Sequence, residues 1–318
     1  MRNALLNLPI VDTRGRGRGT RFDPFGANGV GSSPGTYKGV VAVRAADLRA
    51  ESGGYKRREA DRRDMDLSDV VARYDEELNT EEFADVDASA NGLQVGPAEG
   101  SVERVAFAVD AAEATIEAAV EADADLLVTH HGLVWGGLDR VTGRAYERIE
   151  PLVENDLALY VSHLPLDGHQ THGNAAGVAD HLGLEAREPF GSLGPVEIGQ
   201  AGRASNSYTV EGLRDELDAL DNDGNPTRVF DFGPEEVTDV AIVTGSGVDW
   251  LDEAVEAGAD AFVTGEGKQK VYHEAKEAGI NVFLAGHYAT ETFGVRSLAA
   301  LADEWGLETT YVDHPTGL

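Results

Sequence analysis

Two stretches 135 residues apart in this 318-residue chain read almost alike. Ala122–Gly132 (ADADLLVTHHG) and Ala257–Gly267 (AGADAFVTGEG) share 6 of 11 positions. The same offset relates the apolar runs Val105–Val109 and Val240–Thr244. Duplication of this length constrains the fold strongly, because two copies of one sequence adopt one local structure. Each copy alternates short apolar runs with helical spacing. In the first, strands are predicted over 105–109, 124–129 and 157–162, with helices over 111–122 and 146–155. In the second, strands are predicted at 240–244 and 280–285, flanking the repeated run, with helices over 250–257 and 269–278. Such β-α-β-α-β units predict an α/β fold of two pseudo-repeated strand-helix-strand lobes with mostly parallel sheets. We place the first lobe at residues 65–187, a connecting segment at 188–235 and the second lobe at 236–318. The connector is less regular, with a helix predicted over 210–220 and a strand over 227–232. Ahead of the first copy, Leu67, Val70, Val71, Tyr74 and Leu78 follow helical spacing, and Asn91–Val95 reads as a turn leading to a short strand.

The strand ends hold the chemistry. In the first copy one strand ends at His130-His131 and the next at His163, with Asp167 four residues on. In the second, the corresponding ends are Gly265-Glu266 and His287, with Glu291 four residues on. A His-x-x-x-carboxylate pattern therefore occurs twice at matching places, and ligand sites of α/β sheets gather at the carboxyl ends of strands. Two adjacent histidines alone are an ambiguous signal. Five residues at repeat-related ends, His130, His131, Asp167, His287 and Glu291, point instead to a metal site between the two lobes. Three imidazoles and two carboxylates suit divalent zinc, manganese, iron or nickel better than calcium. Two ions would need a bridging carboxylate, for which Asp167 or Glu291 is available. For acid–base work the candidates are Glu266, His273 and His163. Asp110 is a further pocket candidate, His169 and Asn174 follow Asp167 closely enough to orient it or to touch substrate, and His172, His181 and His314 read as surface residues.

Composition narrows the classes further. The chain has no cysteine, which excludes disulfides, zinc–thiolate sites, iron–sulfur clusters and thiol catalysis. No apolar run approaches the roughly 20 residues of a membrane helix, and the start lacks a secretory apolar core. Charge is divided unevenly. Residues 1–64 carry 13 Lys/Arg against 7 Asp/Glu, whereas residues 65–318 hold the other 13 basic residues against 50 acidic ones. Residues 1–64, with Arg14–Gly19 (RGRGRG), read as a disordered basic extension, and Met65 is a candidate for the true start. The acidic body has three lysines, Lys268, Lys270 and Lys276, and reads as a salt-adapted (halophilic) cytoplasmic protein that repels nucleic acid.

Residues 65–318 resemble the GTP cyclohydrolase I type 2 proteins, the Nif-three-like dinuclear-metal-centre family. The resemblance rests on Asn91–Val95 (NGLQV), Thr129–Gly132 (THHG), Ser162–Asp167 (SHLPLD), Thr264–Glu266 (TGE) and Ala285–Glu291 (AGHYATE), in this order. It implies two divalent ions held by His130, His131, Asp167, His287 and Glu291. It also implies a toroidal homohexamer and GTP cyclohydrolase activity, in which metal-activated water opens the imidazole ring of GTP. The chain departs from the pattern at Gly267-Lys268-Gln269, where relatives often carry a Ser-His-like pair, and it has no large inserted domain. Two functions follow: a metal-dependent hydrolase acting on a purine nucleotide, with Lys268 and Lys270 available for phosphates, or a non-catalytic metal-binding hexamer serving as carrier or regulatory partner.

Overall fold

The computed structural model describes residues 64–318. The basic extension expected before Met65 lies, apart from Asp64, outside the described residues. From the amino end, β1 (Met65–Asp66) leads into α1 (Leu67–Glu77), then β2 (Gly92–Val95), β3 (Ser101–Val102) and β4 (Arg104–Asp110). Next come α2 (Glu113–Glu121), β5 (Leu126–His131), α3 (Arg144–Glu154), β6 (Ala158–Val161), the short α4 (Leu164–Gly168) and α5 (Asn174–His181). The chain continues with β7 (Leu184–Leu193), β8 (Val196–Thr209), α6 (Val210–Leu217), β9 (Arg228–Asp231) and β10 (Glu236–Ile242). It ends with α7 (Leu251–Glu256), β11 (Ala261–Thr264), α8 (Lys270–Ala278), β12 (Asn281–Leu284), α9 (His287–Glu304) and β13 (Glu308–Tyr311).

These elements form two principal sheets. One has five strands in the order β13-β4-β5-β6-β2, and the other six in the order β7-β8-β10-β11-β12-β9. Within the first, β13, β4, β5 and β6 are mutually parallel, and β2 closes the edge antiparallel to β6. Within the second, β10, β11 and β12 are the parallel core, with antiparallel strands on both sides. The two parallel cores are the repeated units. Their central strands are buried on both faces, which is why Leu126–Val128 and Ala261–Val263 are uninterrupted apolar runs and not alternating ones.

Helices cover both faces of each sheet. On the five-stranded sheet, Tyr74 of α1 and Val295 and Leu298 of α9 pack against Phe107, Val128 and Tyr160. The opposite face packs Ile116 of α2 and Leu152 of α3 on Ala106, Leu127 and Leu159. Helix α1 starts where Asp66 accepts a hydrogen bond from the Ser68 backbone N–H at 2.9 Å.

Two assignments differ from the sequence expectation. The segment 188–235, read as a connector, supplies most of β7, β8 and β9 to the six-stranded sheet. Glycines 191, 194, 199 and 202 interrupt its apolar alternation, so the long hairpin lacks a clear period of two. The last helix and strand do not stay with the second copy. Helix α9 leaves β12 yet packs on the first sheet, and β13 pairs with β4.

Candidate metal centre

The site is built where strands of both sheets end. His130 and His131 are the last two residues of β5, one step inside the strand and not beyond it. Across the parallel ladder His131 faces Asp110, the last residue of β4. Asp167 sits on α4 just past β6, and His287 and Glu291 occupy the first two turns of α9 just past β12. The helical i,i+4 spacing places His287 and Glu291 on one face, with His287 Nε2 3.2 Å from Glu291 Oε2.

All five predicted ligands come together. Two groups of potential ligand atoms lie within 4.8 Å of one another: His130, Asp167 and Glu291, and His131, His287 and Glu291. Glu291 belongs to both. Its Oε1 is 3.5 Å from His130 Nε2, and its Oε2 is 3.3 Å from His131 Nε2. His130 Nε2 is also 3.6 Å from Asp167 Oδ1. These separations are too long or too poorly aligned for hydrogen bonds: His130 Nε2 and Glu291 Oε2 are both buried with no hydrogen-bond partner. Buried polar atoms without partners are costly, and here they converge on common points, as donor atoms do around a cation.

The outer nitrogens explain the convergence. His130 Nδ1 donates to the Ser162 carbonyl at 2.9 Å, so Nε2 is the nitrogen turned toward the carboxylates. His131 Nδ1 lies 2.8 Å from Asp110 Oδ1, His163 Nδ1 2.9 Å from Asp87 Oδ1, and His287 Nδ1 3.3 Å from Glu266 Oε1. Each ring is therefore gripped on one side by an oxygen, which fixes its orientation and leaves Nε2 free. Asp167 is held by Asn174 Nδ2 at 2.8 Å and by the Thr244 hydroxyl at 3.1 Å. Gly245, at φ +57, forms part of the wall; a methyl group there would collide with Glu291 Oε1 and reach 3.0 Å from His287 Nε2.

The charges are mutually compensating. Burial would lower the pKa of His130, but the adjoining carboxylates of Asp167 and Glu291 outweigh it and push it up to about 10. His287, with burial opposing, is pushed up to about 9 by Glu291 and Glu266. Burial likewise opposes ionisation of Glu291, yet His130 and His131 hold it well below its ordinary value. Imidazoles that hold protons this firmly beside an ionised carboxylate suit divalent cations, which replace those protons.

The acid–base candidates separate. His163 lies beside the cluster, its ring 5.1 Å from that of His130, and groups with His130 and His131 as a third ligand set. Glu266 touches His287 and accepts a hydrogen bond from Ser246, and that bond, then His287, holds its carboxyl below its ordinary value. His273 sits apart on α8, in a cavity with Arg228 and Lys268. Asn174 orients Asp167, as expected, whereas His169 faces Glu77 and His172 instead. Asp87 was not foreseen. It lies in an irregular loop with no periodicity to flag it, yet its carboxylate holds His163 Nδ1, the Leu164 N–H and the Asn91 side chain. The Asn91–Val95 motif proves to be scaffolding: Asn91 Oδ1 accepts from His163 N–H at 2.8 Å, and Gln94 Oε1 accepts from Leu133 N–H at 2.9 Å. Trp135, on the loop so anchored, stands edge-on to His163 at 4.9 Å.

The family model Duf34/NIF3 (NGG1p interacting factor 3) matches residues 65–316. The chain belongs to the Duf34/NIF3 family. A Halobacterium salinarum relative, described as a GTP cyclohydrolase 1 type 2 homolog, is 60% identical over 255 residues, 80% of this chain and 100% of that one. An Archaeoglobus fulgidus relative of the same description is 43% identical over the same shares. Among solved structures, a Thermus thermophilus protein superposes with a TM-score of 0.72 at 39% identity, covering 80% of this chain and 100% of that one. The Duf34/NIF3 match thus spans both sheets and every residue of the candidate centre.

Proposed function

We propose that this Duf34/NIF3 chain is a divalent-metal-dependent hydrolase with a dinuclear centre, acting on a purine nucleotide in the manner of a GTP cyclohydrolase. The observation that carries the reading is Glu291, whose two oxygens serve two separate ligand groups, His130 with Asp167 and His131 with His287. A carboxylate divided between two groups suits a pair of neighbouring ions better than one, because each ion would keep its own imidazole. Zinc, manganese, iron or nickel fit the donor set. Bound there, such ions supply Lewis acidity and make a water nucleophilic near neutral pH.

The chain's own residues do the rest. Asp110, Glu266 and the Ser162 carbonyl orient the imidazoles. Asp87 holds the Nδ1 proton of His163, so His163 Nε2 is the atom available to accept or return a proton beside the ligands. Glu266, held ionised at the exposed edge, is a second proton acceptor. His273, outside the cluster, has no such place. The relatives' descriptions support the nucleotide substrate, and the homohexamer rests on the family resemblance. The cytoplasmic, salt-adapted reading rests on the acidic composition. Among the described residues no helix is long and apolar enough to cross a membrane.

A second reading, a non-catalytic metal carrier or regulatory hexamer, is favoured by one observation. Asp87, Asp110 and Glu266 are all already engaged with the cluster's own imidazoles, as a storage site would have them. Turnover separates the two. Metal-loaded wild type should open GTP, or hydrolyse another nucleotide or phosphoester, while His130→Ala and His163→Gln lose that activity; metal binding with no turnover on any of them would sink the hydrolase reading.

A further inference from the structure

A cavity of about 500 Å³ adjoins the ends of β11 and β12, lined by Arg228, Phe230, Lys268, Tyr272, His273 and Leu284. It is close in the chain to the metal centre. Lys268 follows Glu266 by two residues, and Leu284 precedes His287 by three. Its chemistry is unlike the rest of the surface. Residues 65–318 hold 50 acidic side chains and only three lysines, yet this lining contains no carboxylate and three basic side chains. Two other surface cavities show the usual composition: one carries Glu211 and Asp231, the other Glu82 and Glu197.

The cations are arranged for a ligand. The Arg228 guanidinium stacks over the Phe230 ring at 5.1 Å and pairs with no carboxylate among the described residues. Its planar fork is thus fixed by a neutral surface and keeps its donors unspent. Lys268 is 2.5 Å from Asp249, but Lys270, itself 3.8 Å from Glu274, shares the same carboxylate at 2.9 Å, so Asp249 is not spent on Lys268 alone. Tyr272 stands perpendicular to Phe230 at 5.5 Å and forms an apolar wall.

We propose that this cavity binds the phosphate groups of a nucleotide, through Arg228, Lys268 and His273. That the base of the same nucleotide reaches the metal ligands rests on the hydrolase reading; the phosphate site itself does not. Arg228 is suited to phosphate because two parallel N–H donors match two phosphate oxygens. A polyanion is excluded by the acidity of the surrounding body, whereas a mononucleotide meets only the local charge.

The test compares metal-loaded wild type, Arg228→Ala and Arg203→Ala by calorimetric titration with pyrophosphate, GTP and guanosine. Arg203 lies outside the lining, paired with Asp239, and its substitution removes the same charge, so it controls for net electrostatics. Arg228→Ala is expected to weaken pyrophosphate and GTP about tenfold or more, with guanosine unaffected, the range for a charge-assisted pair. Arg203→Ala should stay within about twofold, as an exposed charge does. Equal affinities for pyrophosphate in wild type and Arg228→Ala would overturn the proposal, since the phosphates would then be held at the metal ions or not at all. An equal loss in Arg203→Ala would overturn it too. Arg228-dependent binding without any turnover would support the phosphate site while the hydrolase reading falls.

Discussion

His130 is fully buried, yet its Nε2 meets neither a hydrogen-bond donor nor an acceptor. That single atom, with the matching Oε2 of Glu291, makes a cation the natural completion of the site. In the metal-free chain a proton takes the cation's place. With His130 at about 10 and His287 at about 9, both rings are protonated at pH 8, whereas Glu291 is already ionised. Metal ions need neutral imidazoles, so binding at pH 8 should expel protons and tighten as pH rises toward 10. Calorimetry in two buffers of different ionisation enthalpy should show release of about two protons per chain; heats independent of buffer would contradict it. Much of this site was legible at the residue scale. His130, His131, Asp167, His287 and Glu291 stand at repeat-related strand ends, and position along the repeat located them without any tertiary knowledge. Asp87 was not legible, because nothing in an aperiodic loop marks the carboxylate that will hold His163. Trp135 and Gly245 escaped for the same reason: their roles are defined by what folds against them.

Helix α9 is the element that joins the two sheets chemically. Its first two turns carry His287 and Glu291 from the end of β12, while Val295, Leu298 and Ala302 further along are buried on the five-stranded sheet. The close approach this needs is made by small residues: Gly294 lies against Asn174, whose Oδ1 accepts the Gly294 N–H at 2.8 Å, and Gly177 lies against Phe293. Packing of α9 and ligand placement are therefore coupled. Leu298→Ala, far along the helix from the centre, should cost about 2–5 kcal/mol in chemical denaturation, and should also weaken metal binding in a titration of the folded protein. Undiminished metal affinity would show that the first turns of α9 are positioned by β12 alone. The sequence displayed the four-residue spacing of His287 and Glu291 after a strand, but neither the length of α9 nor its destination, since helical spacing reports a buried face and not the sheet that buries it. The β7–β8 hairpin was hidden differently, by glycines that erase the alternation on which strands are recognised.

At the scale of the whole molecule, the acidic body repels itself. With 50 acidic against 13 basic residues over 65–318, raising salt should stabilise the fold, because the screening length falls from about 10 Å at 0.1 M to about 3 Å at 1 M. The thermal midpoint is expected to climb with potassium chloride across that range, and a flat or falling midpoint would count against salt adaptation. The parallel cores of both sheets were visible in the repeat; the return of the chain to the first sheet was not, because β13 is outside the repeated unit. That return has a consequence for how the protein is made. Strand β4 is among the first strands to leave the ribosome, but one of its edges stays open until Glu308–Tyr311, near the end of the chain, arrives to pair with it. The nascent first sheet thus waits, with an exposed strand edge, through synthesis of the entire second sheet. The edge of the first sheet is thus completed by a strand made after the whole second sheet, and α9, which carries His287 and Glu291, immediately precedes it in the chain.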